Sequence, residues 1–542
     1  MGDFMYKRII IFFSLIMSCI CFIAFNLFSI SKGDNLYSAA VQQSLYTLKV
    51  ADFRGNIYDC RYIPLVGNEK ETIIAINPSL ETASALSKVL SSEELKDVME
   101  MSKGGKPFTY KLGSTRNIVG SNIFKINSRY SKNKNIAQHI LGYLDSSFNG
   151  VCGIEKAFNE YLNEDKGEIS IKYKVDALNR MIPGESVKIE NTFYKQTKGV
   201  VLTLDKRLQE IAEIAAERYI KKGAILVAEV PTCKIRACVS MPDFSPSNIA
   251  KVLEDKDSPL INRAFYAYNL GSVFKLVTAV AALESGISGD EIFNCTGTVK
   301  VEDAGFHCFN GKAHKDINME QALAYSCNCY FVEMAKRVGA ETMLKFSHLL
   351  GFGRSIELAP GMVSQKGNLP TLEQLSNIKT LSNFSFGQGS LLATPIQTLG
   401  LINAIASGGY YVKPQLVEGL VNESLEYVNK VAPIGKIRVF SSNSAEILKK
   451  GMVASVEYGT GTQAKPLNGQ AAAKTGTAQT GMKVNDRSVI QCWLAGFYPA
   501  EKPKYSILVF AEDADGGGQS CGPAFKKIAN DIYNKLPELL LE

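Results

Sequence analysis

Ser272 and Lys275 are the first residues in this chain whose types and spacing could do chemistry. They stand at the start of an almost wholly apolar run, residues 273–283, which is typical of a buried helix. Three residues apart, they share one face of the first turn, about 4.5 Å apart along the axis. The helix dipole would favour an alkoxide there, and a desolvated lysine could take the proton. Alone, the pair is more simply interpreted as a helix cap followed by a solvated lysine.

A second motif, Ser326-Cys327-Asn328, follows a helical stretch that ends near Tyr325. An acyl-transfer serine enzyme needs a nucleophile, a proton acceptor and a route for that proton to the leaving amine. Ser326 could pass the proton, and Asn328 could hold Lys275 or a substrate amide. By itself the motif is more often a helix cap or a turn.

A third motif, Lys474-Thr475-Gly476-Thr477, follows three alanines and precedes a turn. An edge strand with this sequence would bring a cation and hydroxyls to a substrate carboxylate, and its glycine permits close approach of the backbone. The backbone N–H groups of Ser272 and Thr477 would then form the oxyanion hole. On its own this motif is most often a strand that ends in a turn.

The three motifs gain meaning from their order. Ser-x-x-Lys, Ser-x-Asn and Lys-Thr-Gly begin 54 and then 148 residues apart, and this set is typical of penicillin-binding proteins and related β-lactamases. The chain resembles a class B penicillin-binding protein, a membrane-anchored D,D-transpeptidase of peptidoglycan synthesis. The similarity extends to Asn262-Arg263-Ala264, Phe386-Gly387-Gln388-Gly389, Thr394-Pro395-Ile396-Gln397, Ala495-Gly496-Phe497-Tyr498-Pro499, Arg54-Gly55-Asn56-Ile57-Tyr58-Asp59 and residues 150–158.

The resemblance implies a role for each motif residue. Ser272 would attack the D-Ala–D-Ala carbonyl of a stem peptide, with Lys275 as general base and Ser326 and Asn328 assisting proton transfer. The terminal carboxylate would be bound by Lys474, Thr475 and Thr477. A neighbouring strand's amine would resolve the acyl-enzyme and make a cross-link, and a β-lactam would acylate Ser272 as a D-Ala–D-Ala mimic. The expected partners are stem peptides, β-lactams and, by analogy alone, a polytopic membrane glycan polymerase; no metal or organic cofactor is implied.

Other functions on the same motifs stay open at this stage. A β-lactamase or a D,D-carboxypeptidase on the same fold would hydrolyse the acyl-enzyme, but a secreted β-lactamase would not need a pedestal domain or a permanent anchor. A non-catalytic scaffold or β-lactam-sensing receptor should have lost part of the motif set, which is complete here. A bifunctional class A enzyme would need a glycosyltransferase domain, for which the region before the first motif is too short.

The N-terminus predicts a membrane anchor. The stretch from Ile9 to Ile30 carries no charge and is long enough to cross a bilayer, and Lys7 and Arg8 precede it. The positive-inside rule places the N-terminus in the cytoplasm and the catalytic region outside a single-pass cell-membrane anchor. A cleaved signal peptide is the competing interpretation, but its apolar region would be unusually long.

Length and patterning predict the remaining architecture. A chain of 542 residues should hold two or three domains. We expect a cytoplasmic tail at 1–8, a transmembrane anchor at 9–31, a β-rich or mixed pedestal at 32–195 and a transpeptidase domain at 196–542. The expected fold is α+β: an antiparallel sheet covered by helices, with an all-helical subregion. A net charge of +7 without a basic, aromatic-rich stripe argues against nucleic acid as a partner.

The spacing of the cysteines does not indicate a disulfide framework. Ten of the twelve lie outside the anchor and are scattered through a chain large enough to build its own core. His307, Cys308, His314 and Cys295 suggest a metal site, but their spacing matches no common zinc pattern, so none is predicted. Cys327 is interpreted as a small wall residue and not as a second nucleophile.

Overall fold

The structure is a computed structural model that describes residues 2–32, 44–112, 121–131, 135–164, 166–192, 197–484, 487–514 and 516–541. Its helices are α1 (Gly2–Lys32), α2 (Leu80–Ser87), α3 (Ser92–Ser102), α4 (Gln138–Leu141), α5 (Gly153–Ala157), α6 (Asn159–Asn163), α7 (Lys206–Tyr219), α8 (Ile249–Leu253), α9 (Lys275–Glu284), α10 (Met319–Ala324), α11 (Asn328–Val338), α12 (Ala340–Leu349), α13 (Leu372–Leu375), α14 (Ile378–Ser385), α15 (Pro395–Ala406), α16 (Ser442–Glu457), α17 (Gly522–Lys535) and α18 (Glu538–Leu541).

The strands are β1 (Leu45–Phe53), β2 (Asn56–Tyr58), β3 (Glu69–Ile76), β4 (Phe108–Leu112), β5 (Asn122–Ser128), β6 (Gly167–Lys174), β7 (Lys188–Asn191), β8 (Gly199–Leu202), β9 (Gly223–Glu229), β10 (Ile235–Met241), β11 (Phe293–Cys295), β12 (Thr298–Val301), β13 (Ala304–His307), β14 (Lys315–Ile317), β15 (Glu357–Ala359), β16 (Met362–Val363), β17 (Tyr410–Tyr411), β18 (Val417–Val421), β19 (Tyr427–Lys430), β20 (Ile437–Arg438), β21 (Ala472–Val484), β22 (Arg487–Tyr498) and β23 (Tyr505–Glu512).

The chain divides into two compact units. The first comprises residues 1–54, 69–128 and 166–195, and the second comprises 55–68, 129–165 and 196–542. Two segments that the sequence assigned to the pedestal, 55–68 and 129–165, therefore pack with the C-terminal unit. For 55–68 the cause is backbone pairing, since β2 adds to β8 in parallel. The predicted boundary between residues 195 and 196 involves residues outside those described.

The first unit contains the N-terminal helix and two small antiparallel sheets. The sheets have the strand orders β1-β6-β7 and β4-β3-β5. Their apolar residues form two buried clusters, one around Ile171 and Tyr173 and one around Ile74 and Val98. Helix α1 includes an apolar stretch, Phe4–Ser31, that is long enough to cross a membrane, as expected for the predicted anchor.

The second unit is built on an antiparallel sheet of order β10-β9-β23-β22-β21. Its strands alternate between two cores because successive side chains point to opposite faces. In β9, Leu226 faces the large helical core, whereas Ile225 and Val227 face α7 and α17. Strands β9 and β10 form an antiparallel hairpin, and the C-terminal strand β23 pairs with β9 on its other side.

A helical subregion covers one face of this sheet and includes α9. The predicted helix at 273–283 begins as a 3₁₀ turn, Gly271–Phe274, and continues as α9 from Lys275. Apolar residues surround α9; for example, Phe274 packs on Phe384 with ring centroids 4.6 Å apart. The predicted α+β architecture is thus confirmed, and burial of α9 forces Lys275 out of water.

Candidate active site

The 3₁₀ turn Gly271–Phe274 holds Ser272 against the edge strand β21. Gly271 has φ +61°, and a Cβ atom at this position would lie 2.8 Å from the Thr477 carbonyl oxygen. Glycine is therefore required here by both conformation and space. The Gly271 N–H donates to the Gly387 carbonyl at 3.0 Å, which fixes the turn from its other side. Ser272 is consequently held, half-buried, beside the third motif.

Lys275 is the most heavily bonded group of the site. Its side chain is fully buried, and its Nζ lies 3.1 Å from the Ser272 Oγ. Nζ also donates to the Ser326 carbonyl at 2.7 Å and to the Asn328 Oδ1 at 2.6 Å. Burial lowers the Lys275 pKa to about 8, with a partial offset from nearby thiol groups. Roughly a tenth of an amine with this pKa is neutral at pH 7, and this neutral form is a competent base for Ser272.

Ser326 and Asn328 flank the start of α11 and complete the lysine's surroundings. Ser326 has φ +56°, a strained conformation for serine that marks functional sites. Its Oγ lies 3.0 Å from the Lys275 Nζ. The Asn328 Nδ2 donates to the His307 carbonyl at 2.8 Å, so the amide is oriented with its oxygen towards Lys275.

Lys474 brings a second buried amine to the same hydroxyl. It lies on β21, and its Nζ is 2.9 Å from the Ser326 Oγ and 3.1 Å from the Thr475 carbonyl oxygen. Burial lowers the Lys474 pKa well below its usual value, and the positive charge of Lys275 lowers it further. Within the described part of the chain, neither lysine forms a salt bridge. A carboxylate entering the site would therefore find at Lys474 an amine whose charged form has no ion-pair partner among the described residues.

The rest of the third motif lies on β21, the edge strand of the sheet, where Thr475 and Gly476 are buried and Thr477 is exposed. The Thr475 Oγ1 is 2.6 Å from the Thr460 Oγ1, and the Thr477 Oγ1 accepts a hydrogen bond from the Gly517 N–H at 3.2 Å. A Cβ atom at Gly476 would lie 2.8 Å from the Leu270 carbonyl oxygen, so glycine allows the strand to approach the serine turn. The oxyanion hole from the Ser272 and Thr477 N–H groups stays a prediction.

The structure brings all the motif residues together and adds three that the sequence did not suggest for this role. These are Thr460, which contacts Thr475, the His307 carbonyl, which orients Asn328, and Gly517, which contacts Thr477. The run Gly459-Thr460-Gly461-Thr462 is the signal that could have identified the first of these. A backbone carbonyl leaves no signal in a sequence, so His307 could not have been found this way.

The arrangement can perform acyl transfer through a serine. Ser272 can lose its proton to Lys275, and Ser326 links Lys275 to Lys474 by hydrogen bonds on both sides of one oxygen. A hydroxyl can donate and accept at once, so it can relay a proton between the nucleophile's base and a leaving group. Lys474 offers a cation for the substrate.

Comparisons with known proteins match this site and fold. The family model for the penicillin binding protein transpeptidase domain matches residues 223–533. Stage V sporulation protein D of Bacillus subtilis (strain 168) is 27% identical over 543 residues, which cover 94% of this chain and 81% of that protein. The peptidoglycan D,D-transpeptidase MrdA of Acinetobacter baumannii is 26% identical over 454 residues, which cover 72% of this chain and 64% of that protein.

The fold is also similar to solved structures. One is the penicillin-binding protein PBP2 of Helicobacter pylori in complex with MreC, with a TM-score of 0.64 and 23% identity. This similarity covers 90% of this chain and 98% of the other chain. The α+β transpeptidase fold predicted from the sequence is confirmed.

Proposed function

Because the chain belongs to the penicillin-binding protein transpeptidase family, we propose that Ser272 is the residue acylated in its D,D-transpeptidase reaction. The protein is a serine D,D-transpeptidase of peptidoglycan cross-linking, as its family and relatives indicate. The observation that supports Ser272 is its hydroxyl oxygen 3.1 Å from the Lys275 amine. Since this amine is also bonded to Ser326 and Asn328, it is held in place for proton transfer.

Acylation uses these residues in a fixed order. The Ser272 Oγ attacks the carbonyl of the D-Ala–D-Ala bond while its proton passes to the Lys275 Nζ. Collapse of the tetrahedral intermediate breaks the peptide bond, and a proton relayed through Ser326 goes to the leaving D-Ala amine. The product is an ester on Ser272 and free D-Ala. In deacylation an acceptor amine attacks the ester carbonyl and gives a proton to Lys275. The ester C–O bond then breaks, a new peptide bond forms, and the Ser272 Oγ regains its proton from Lys275.

Substrate recognition is assigned to the edge strand β21. Lys474 would pair with the terminal carboxylate of the stem peptide, and Thr475 and Thr477 would donate hydroxyl hydrogen bonds to it. The shared carboxylate of stem peptides and β-lactams would explain why both acylate Ser272. Burial makes an unpaired charge on Lys474 costly, so a bound carboxylate would offset that cost.

We also infer how the protein is placed in the cell. Lys7 and Arg8 before the apolar helix favour a cytoplasmic N-terminus and an extracytoplasmic catalytic domain. A polytopic membrane glycan polymerase would supply the nascent strands that the site cross-links. The support is chemical, because a transpeptidase anchored at the membrane must act on strands made there.

Fluorescent penicillin labelling of the full-length chain tests the assignment of the nucleophile. We expect Ser272→Ala to abolish covalent labelling, since no other residue carries the reacting oxygen. Ser285→Ala is the matched control, because it removes a serine hydroxyl from the other end of α9 and should leave labelling unchanged. Labelling that survives in Ser272→Ala would refute the assignment.

Product analysis separates transfer from hydrolysis. With a stem-peptide donor and an acceptor amine, we expect a cross-linked dimer and release of D-Ala from the wild type. Release of D-Ala without dimer, over a range of acceptor concentrations, would instead support a D,D-carboxypeptidase. Rapid loss of the penicilloyl label would support a β-lactamase.

A further inference from the structure

Three cysteines and one histidine bring their side chains together around the Ser326-Cys327-Asn328 motif. The Sγ atoms of Cys295, Cys308 and Cys327 and a ring nitrogen of His314 all lie within 4.8 Å of one another. The three cysteines are buried, whereas His314 is half-buried. The His314 ring stacks on Tyr325 with an interplanar angle of 5°, which limits its rotation.

The separations fit the edges of a metal-centred tetrahedron. The Sγ–Sγ distances are 3.8 Å for Cys295 and Cys308, 3.6 Å for Cys308 and Cys327, and 3.4 Å for Cys327 and Cys295. The His314 Nδ1 lies 3.5 Å from the Cys295 Sγ. Zinc with Zn–S bonds of about 2.3 Å and a Zn–N bond of about 2.0 Å requires edges of about 3.8 and 3.5 Å. A disulfide needs about 2.05 Å, and none of these pairs approaches it.

Short strands, backbone hydrogen bonds and a helix N-terminus hold the four ligand residues close together. Cys295 ends β11, and the His314 N–H donates to the Cys295 carbonyl at 3.1 Å just before β14 begins. Cys308 follows β13, and its N–H donates to the Gly297 carbonyl at 2.9 Å. Cys327 is the N-cap residue of α11. The resulting pattern, Cys-x12-Cys-x5-His-x12-Cys, lacks the close Cys-x2–4-Cys pairs of common zinc motifs, which is why the sequence predicted no metal site.

One sequence candidate is replaced by another residue. The His307 Nδ1 lies 3.0 Å from the Thr298 Oγ1 and is not part of the four-atom cluster. Cys327, which the sequence suggested was a wall residue, takes the fourth place. Three thiolates and one imidazole form the Cys₃His donor set of structural zinc sites.

We propose that Cys295, Cys308, His314 and Cys327 bind one Zn²⁺ ion that positions the catalytic motif. Cys327 lies between Ser326 and Asn328, and both of these neighbours bond Lys275. Cys308 follows His307, whose carbonyl orients the Asn328 amide. The ion would therefore fix the backbone before Asn328, through Cys327, and the carbonyl that orients its amide, through Cys308. It would not touch the substrate. The metal site itself does not depend on the proposed function, whereas its effect on Lys275 does.

Metal analysis of the purified full-length protein tests the site directly. We expect about one zinc per chain in the wild type, and Co²⁺ replacement should give the visible bands of tetrahedral thiolate coordination. Wild-type protein from zinc-supplemented cells that carries no stoichiometric metal would overturn the proposal. A disulfide among Cys295, Cys308 and Cys327, found by thiol counting and peptide mapping, would overturn it equally.

Matched variants locate the ligands. Cys295→Ser and His314→Ala should lose the zinc. Cys329→Ser is the control, because the Cys329 Sγ lies 3.5 Å from the Cys308 Sγ but stands outside the four-atom cluster. Zinc lost from Cys329→Ser but kept in Cys295→Ser would overturn the ligand set. If the ligand variants fail to fold, the wild-type stoichiometry and cobalt spectrum still decide the question.

Acylation kinetics test the positioning role separately. We expect Cys295→Ser to slow penicillin acylation about 10- to 100-fold, the range found for groups that orient a functional site from a distance. Ser272→Ala should lose labelling yet keep its zinc, which separates failure of the metal site from failure of the proposed nucleophile. Zinc loss in Cys295→Ser with an unchanged acylation rate would refute the positioning role and leave a structural ion.

Discussion

Two different regions of the second unit each deliver one buried lysine to the same hydroxyl. Lys275 comes from the start of α9, whereas Lys474 comes from the edge strand β21. Both are fully buried, and both lie within 3.0 Å of the Ser326 Oγ. Only Lys275 also contacts the Ser272 Oγ and the Asn328 Oδ1.

The difference in partners supports the different roles proposed for the two lysines. Lys275 is surrounded by oxygen acceptors that hold its amine beside Ser272, so it can exchange a proton with the nucleophile. Lys474 has fewer acceptors, and its pKa is lowered by burial and by the charge of Lys275. It is therefore the amine that gains most from an anionic ligand. Both amines contact Ser326, and they differ in their other contacts: Lys275 also contacts the Ser272 Oγ, whereas Lys474 contacts the Thr475 carbonyl oxygen. These other contacts, and not the residue type, distinguish the proposed base from the proposed anion-binding group.

Removal of the base should have the largest effect. We expect Lys275→Ala to lower the rate of acylation by fluorescent penicillin about 10²- to 10⁴-fold, the usual contribution of a general base. Lys336→Ala on α11 is a control, since its side chain is largely exposed and pairs with Glu333. Near-wild-type acylation in a folded Lys275→Ala protein would contradict the assignment of the base.

Removal of the anion-binding lysine should have a smaller effect that depends on the substrate. We expect Lys474→Ala to lower kcat/KM about 10- to 100-fold, because a hydrogen bond to a charged group contributes about 1.5–3 kcal/mol. A donor whose terminal carboxylate is replaced by an amide should react poorly with wild type and no worse with Lys474→Ala. If the substitution is equally harmful with both donors, Lys474 does not act through the carboxylate.

The sequence was sufficient to identify Lys275, Lys474 and Ser326 as candidate site residues, but not to predict the geometry in which they meet. The apolar run 273–283 predicted the helix that follows Ser272, and the Lys-Thr-Gly motif predicted an edge strand, which is β21. The strained backbone of Ser326 and the pairing of β2 with β8 depend on contacts between residues far apart in the chain. Such contacts leave no local pattern, so 55–68 could not be assigned to the second unit.

The pH dependence should report the titration of Lys275. Its pKa is lowered to about 8 chiefly by burial, and only the neutral amine can accept the Ser272 proton. Acylation should therefore fall about tenfold per pH unit below that pKa and level off above it. The measurement is kcat/KM for acylation by a β-lactam whose own charge does not change between pH 5 and 9. The labelling stoichiometry at each pH checks that the protein is folded. A rate independent of pH across this range would contradict a lysine base.

The smallest expected effect comes from removal of the hydrogen bond between Thr460 and Thr475 on β21. The Thr460 Oγ1 lies 2.6 Å from the Thr475 Oγ1, so Thr460→Val removes a hydroxyl while keeping the side chain's shape. We expect a two- to fivefold loss in kcat/KM, consistent with about 0.5–1 kcal/mol for a partly buried hydrogen bond between neutral groups. Thr462→Val is the matched control, because Thr462 is also an exposed threonine of the same segment. Since Thr475 and Lys474 are neighbours on β21, the loss should vanish with the amide donor. If kcat/KM for the amide donor also falls in Thr460→Val, Thr460 acts through Ser326 and Lys275 and not through carboxylate binding.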